Sequence, residues 1–101
     1  SEIVEYMHQN YSKNITAEDL AGIIGLSTSQ LNRKFKKEMD ESPIIYLLKI
    51  RIEKAIMKLL STDSTITEIS YECGFNNQTY FNIQFKKITG CSPRDYRKKY
   101  T

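Results

Sequence analysis

The sequence predicts an all-α fold, and three observations lead there. Apolar residues recur at helical spacing nearly throughout the 101 residues. Several of those runs open on a Ser or Thr followed three residues later by an acid or an amide, the signature of a capped helix start. The whole pattern then occurs a second time, about 50 residues on. Glycine and proline are scarce, at four and two residues, which leaves little punctuation for the many turns of an all-β chain.

Taken in order, Ile3, Met7 and Tyr11 at i, i+4 and i+8 predict a first helix over about 2–12. Thr16 with Asp19 is a capping box and opens a short helix carrying Leu20, Ala21, Ile23 and Ile24, which Gly25 stops. Ser27 with Gln30 opens a third helix that buries Leu31, Phe35 and Met39. Ser42 then precedes Pro43, a residue suited to the first position of a helix. That fourth helix carries Ile44, Leu47, Leu48, Ile52, Ala55, Ile56, Leu59 and Leu60 over about 18 residues, or roughly 27 Å. Ser61 to Ser64 form a polar break.

Thr65 with Glu68 then repeats the capping box at Thr16. Ile69, Ser70, Cys73 and Gly74 match Leu20, Ala21, Ile24 and Gly25 at an offset of 49. Phe81, Phe85, Lys86-Lys87, Ser92-Pro93 and Tyr96 match Leu31, Phe35, Lys36-Lys37, Ser42-Pro43 and Tyr46 at an offset of 50. The second copy therefore has one extra residue between Gly74 and Phe81. The sixth helix is expected to begin near Asn76 and to bury Phe81, Phe85 and Ile88. Two copies are too few for a solenoid and read as one duplicated module.

Composition narrows the function classes. With 40% hydrophobic and 27% charged residues the chain has the balance of a globular protein. No apolar run is long enough to span a membrane. The start, Ser1-Glu2-Ile3-Val4-Glu5, lacks the features of a signal peptide, so a cytoplasmic location is expected. Cys73 and Cys91 are not at zinc-site spacing, and His8 is the single histidine. That set supports neither a metal site nor a catalytic triad, so the expectation is no enzyme activity, no cofactor and two free thiols.

The charge is unevenly spread. Residues 1–32 hold one basic residue, Lys13, and four acidic ones, while residues 33–101 hold the other fourteen basic residues. They cluster at Arg33, Lys34, Lys36 and Lys37, at Lys86 and Lys87, and at Arg94, Arg97, Lys98 and Lys99. Clusters sharing a face attract a phosphate backbone, although solvated helix faces carry such charge as well.

A short helix, a Gly turn and a longer helix form the helix-turn-helix pattern. Ala21 is small enough for close helix approach, and Leu31 fills the space between the two helices. Such a longer helix reads bases with the side chains opposite its buried stripe. In the third helix these are Thr28, Ser29, Asn32, Arg33 and Lys36; in the sixth they are Asn77, Gln78, Thr79, Asn82, Ile83 and Lys86. Asn and Gln suit an adenine edge, Arg suits guanine, and Thr or Ile can touch a thymine methyl. Lys37 and Lys87 are within reach of phosphates, although a solvated lysine fits the same positions equally well.

These motifs together resemble the DNA-binding domain of the AraC/XylS family of bacterial transcription regulators. The resemblance is carried by Ile15 to Ala21, Leu31 to Lys37, Ser42 to Leu47 and Arg51 to Ala55. In the second half it is carried by Ile66 to Ser70, Gly74-Phe75, Tyr80-Phe81, Phe85 to Lys87, Thr89-Gly90, Ser92-Pro93 and Tyr96-Arg97. It implies about seven helices in two helix-turn-helix subdomains, at 1–42 and 61–101, joined by a long linker helix at 43–60. It implies recognition helices over about 28–39 and 77–89 that enter adjacent major-groove segments of an asymmetric promoter site. A rigid linker then demands DNA bending or the loss of one contact, at roughly 1–6 kcal/mol. Base-reading positions fall on Ser29, Asn32 and Arg33, and on Gln78, Thr79, Asn82 and Ile83. Phosphate-binding positions fall on Thr28, Lys36, Lys37, Asn77, Lys86 and Lys87.

Two departures stand out: Ile83 replaces the Arg of many relatives, and Asp40 stands where the second copy has Gly90. The resemblance further implies a partner role for RNA polymerase and an effector or dimerisation domain outside this stretch. The expected function is sequence-specific binding of double-stranded DNA that regulates transcription. The alternative is a helical protein-interaction module without DNA binding.

Overall fold

The computed structural model describes residues 1–101, and all regular structure in it is α-helical. The helices are α1 (Glu2–Asn10), α2 (Ala17–Ile23), α3 (Thr28–Met39), α4 (Pro43–Ser61), α5 (Ile66–Glu72), α6 (Gln78–Thr89) and α7 (Pro93–Tyr100). The chain divides into two compact units, Ser1–Ile50 and Arg51–Thr101. The division falls inside α4, so the fourth helix contributes its first part to one unit and the rest to the other. No helix is long and apolar enough to cross a membrane.

The capping boxes at Thr16/Asp19, Ser27/Gln30 and Thr65/Glu68 form with both reciprocal bonds. Each satisfies two backbone N–H groups that a helix start otherwise leaves bare. The short helices also end alike. After α2, Leu26 N–H donates to the Ala21 carbonyl at 3.0 Å and Gly25 N–H to the Gly22 carbonyl at 3.4 Å. After α5, Phe75 N–H donates to the Ser70 carbonyl at 3.0 Å and Gly74 N–H to the Tyr71 carbonyl at 3.1 Å. This paired bonding is the Schellman ending, whose turning residue must be left-handed. Gly25 and Gly74 supply it at φ of 67° and 94°.

In the first unit Ile3, Met7, Ile15, Leu20, Ala21, Leu31, Phe35, Leu47 and Ile50 form one buried cluster. Phe35 meets Tyr46 edge to face, with ring centres 5.5 Å apart. In the second unit Phe75, Phe81, Phe85 and Tyr96 make a chain of ring contacts, and the Phe85–Tyr96 pair, at 5.4 Å, repeats the Phe35–Tyr46 geometry. Ser70 sits fully buried where the first unit has Ala21, and its hydroxyl is satisfied by donating to the Thr67 carbonyl at 2.8 Å.

Several expectations need correction. Helix α1 ends at Asn10, not near residue 12; Tyr11 and Ser12 lie in a turn closed by Lys13 N–H donating to the Asn10 carbonyl. Helix α6 starts one residue later than expected, with Asn77 as its N-cap. The extra residue of the second copy thus lies in the turn, where Gly74-Phe75-Asn76-Asn77 replaces Gly25-Leu26-Ser27. Ile88 is 40% exposed and not part of the buried stripe. The stripe runs 81, 85, 89 as it runs 31, 35, 39, so its third member is Thr89. Thr89 is half-buried and donates its hydroxyl to the Phe85 carbonyl at 2.8 Å. Of the apolar residues that α4 carries, Leu47, Leu48, Ile52, Ala55 and Leu59 are buried, while Ile44 and Leu60 are exposed.

Candidate nucleic-acid interface

Helix α3 buries Leu31 and Phe35. On its outer side Ser29, Asn32, Arg33 and Lys36 fall at i, i+3, i+4 and i+7, and all four are exposed. Lys34 and Lys37 flank this row, and with Leu26, Gln30 and Arg33 they line a shallow groove. Thr28, at the first helical position, is half-buried. The row is polar, cationic and free of carboxylates, since the one acid of the helix, Glu38, lies outside it.

Helix α6 places Thr79, Asn82, Ile83 and Lys86 at the same four positions. Thr79 and Lys86 are exposed and Ile83 is 58% exposed, so an apolar side chain stands in solvent where α3 carries a guanidinium. Asn82 is half-buried; its Oδ1 is shielded and has no hydrogen-bond partner. Gln78 is half-buried too, and its Oε1 accepts from the Thr67 hydroxyl of α5 at 2.5 Å. Asn77 is exposed, but its Oδ1 accepts from Tyr80 N–H at 2.9 Å, which leaves its NH2 group as its free donor. Lys87 is exposed.

The structure therefore leaves most of the residues singled out from sequence at the surface, on α3 and on α6 within their own units. Gln78 and Asn82 are held more tightly than a purely outward reading expects. The C-terminal basic cluster needs a larger correction. Arg97 is not a free cation: Nε donates to the Leu59 carbonyl at 3.0 Å, one terminal nitrogen to Ser64 at 2.7 Å and the other to Thr62 at 3.1 Å. Its charge closes the end of α4, where unpaired carbonyls and the negative dipole end favour a cation. Sequence reading also missed Thr67, because a bond between residues eleven apart leaves no periodic trace. Near α6, burial pulls Arg51 below its usual pKa while neighbouring Tyr80 acts in the opposite direction.

Two helix-turn-helix units in tandem, each carrying on its longer helix an outward row with lysine and amide side chains, define a nucleic-acid-binding class of fold. Residues 20–99 match the model of a helix-turn-helix domain family, and the chain belongs to it as a DNA-binding domain of the AraC/XylS type. It is 34% identical to the uncharacterized HTH-type transcriptional regulator YdeC of Bacillus subtilis, over 96% of this chain and 33% of that protein. It is 32% identical to the HTH-type transcriptional activator RhaS of Mannheimia succiniciproducens, over 95% of this chain and 36% of that protein. The chain thus spans about a third of the length of these curated relatives. Among solved structures, the DNA-binding domain of the global transcriptional factor AdpA, in complex with a target DNA, superposes with a TM-score of 0.94 at 25% identity, covering 98% of this chain and 89% of that one.

Proposed function

We propose that this chain binds double-stranded DNA sequence-specifically and serves as the DNA-reading part of a longer transcription regulator. The observation that carries the proposal is the pair of matching outward rows, Ser29/Asn32/Arg33/Lys36 on α3 and Thr79/Asn82/Ile83/Lys86 on α6, exposed at every position but the half-buried Asn82. Each row lies opposite a buried stripe, Leu31 and Phe35 on α3 and Phe81 and Phe85 on α6, and so forms the outer side of its helix. Membership of the family supports the same reading.

In this mechanism α3 and α6 each enter a major-groove segment. Ser29, Asn32 and Arg33 read one set of base edges; Gln78, Thr79, Asn82 and Ile83 read the other. Thr28, Lys36, Lys37, Asn77, Lys86 and Lys87 hold phosphates and fix the register without carrying sequence information. Because Arg33 and Ile83 differ in chemistry, the two segments differ in sequence, and the whole site is asymmetric. Effector sensing and dimerisation fall to other parts of the longer protein. Contact with RNA polymerase and a place in the cytoplasm beside the chromosome complete the proposal.

The test is a duplex selected from a random pool, titrated with the chain and with an Arg33→Glu variant at several salt concentrations. Steeply salt-dependent binding that the charge reversal abolishes supports the reading. A pool from which no duplex is enriched, or association that is independent of salt, favours the protein-interaction alternative; duplex affinity untouched by Arg33→Glu removes Arg33 from the interface.

A further inference from the structure

The first outward side chain of α6 is held in a way that α3 does not share. Thr67 donates its hydroxyl proton to Gln78 Oε1 at 2.5 Å. That separation belongs to an O–H···O bond and is too short for an amide N–H donor. The oxygen of the carboxamide, and not its nitrogen, therefore faces α5. The first unit has no such bond: Glu18 stands at the place of Thr67 and Thr28 at the place of Gln78.

We propose that Thr67 is a positioning residue for base readout: by engaging Oε1 of Gln78 it turns the Nε2 donors outward and so sets which base edge Gln78 accepts. The inference rests on the proposed readout by α6 and makes it chemically specific. Bidentate recognition of adenine needs the amide oxygen to accept from N6 while the nitrogen donates to N7. With its oxygen turned toward α5, Gln78 presents donors alone. The base edges that match are those offering acceptors alone, guanine through O6 and N7 and thymine through O4; adenine pairs its N7 acceptor with an N6 donor that then meets no acceptor on Gln78. Asn82, one helical turn on, agrees: its Oδ1 is shielded, so Nδ2 is the group it has to offer. Helix α6 thereby regains a guanine-compatible contact although Ile83 stands in place of an arginine.

The experiment uses this chain and one duplex from a random-pool selection, with all four base pairs introduced at each position in turn. Wild type, Gln78→Ala, Thr67→Val and Thr67→Ser are compared, each first shown to be folded by thermal unfolding. Gln78→Ala is expected to flatten discrimination at one base pair, where wild type prefers guanine or thymine over adenine and cytosine by on the order of tenfold. Thr67→Val is expected to narrow that preference to about threefold or less, chiefly by admitting adenine. Thr67→Ser, which keeps the hydroxyl, retains it. Unchanged preferences in Gln78→Ala would remove the readout by Gln78 itself. The positioning role alone is overturned if Gln78→Ala flattens one position while Thr67→Val leaves it intact, with or without a uniform loss of affinity, or if the preferred base there is adenine.

Discussion

Asp40 and Gly90 occupy the same place at the ends of α3 and α6, and both take left-handed backbone, at φ of 65° and 93°. Their N–H groups make equivalent bonds, to the carbonyls of Lys36 at 2.9 Å and Lys86 at 2.8 Å. One fold requirement is thus met twice, once by the residue free to adopt that φ and once by a residue that carries a steric cost.

Replacing Asp40 with Gly is therefore expected to stabilise the protein by about 0.5–1 kcal/mol, and Gly90→Ala to destabilise it by about 1–2 kcal/mol. No atom lies within 4 Å of a Cβ built at Gly90, so its loss comes from backbone strain and not from a clash. Thermal unfolding checks both, with midpoints moving in opposite directions.

Arg97 makes a sharper prediction, because its three bonds go to carbonyls that nothing else is shown to satisfy. Arg97→Ala is expected to cost about 2–3 kcal/mol of stability. Arg97→Lys should recover less than half of it, since an ammonium lacks the planar fork that spans three acceptors. Denaturant unfolding measures both losses. DNA affinity of the folded protein should hardly change, which separates Arg97 from the exposed cations of α3 and α6.

The thiol of Cys73 is fully buried, and burial pushes its pKa up to about 11, helped by Glu72 and opposed by Lys58. A raised folded-state value means the stabilisation is complete below the ordinary thiol pKa and is lost as pH rises toward 11. Stability should fall from about pH 8.5 upward, and Cys73→Ser or Cys73→Ala should remove that component of the fall. In alkylation experiments at neutral pH, Cys91 should react while Cys73 stays protected until the protein unfolds.

Arg33 and Ile83 stand at equivalent positions of α3 and α6, and both are exposed. Arg33→Ala is expected to cost about 1–3 kcal/mol, confined to one base pair. Ile83→Arg should increase the salt dependence by about one counterion and shift preference toward guanine at one position of the other segment. Equal loss on every sequence in Arg33→Ala would make Arg33 a phosphate contact instead.

Helix starts were legible from sequence because a capping box is local: Thr16, Ser27 and Thr65 each announce it within four residues. The duplication was legible because the matched residues are core residues under the same packing demand in both units. Ile88 misled because hydrophobicity alone cannot distinguish position 88 from 89, and the hydroxyl of Thr89 can occupy the stripe by bonding back to Phe85. Arg97 and Thr67 were illegible for a different reason. Their partners lie 33 to 38 residues and 11 residues away, and a charge or a hydroxyl in sequence does not reveal which carbonyl or amide it meets. The outward rows of α3 and α6 could be read because they are the complement of the stripe. What Gln78 and Asn82 can offer depended on neighbours the spacing does not show.

The most direct measurement of the central claim is a single-base-pair substitution scan of a selected duplex, titrated with wild type, Arg33→Ala and Gln78→Ala. The account predicts discrimination at two separate groups of base pairs, one weakened only by the α3 variant and the other only by the α6 variant. Binding that is equally tight to every substituted duplex, or a scan that neither variant alters, would contradict it.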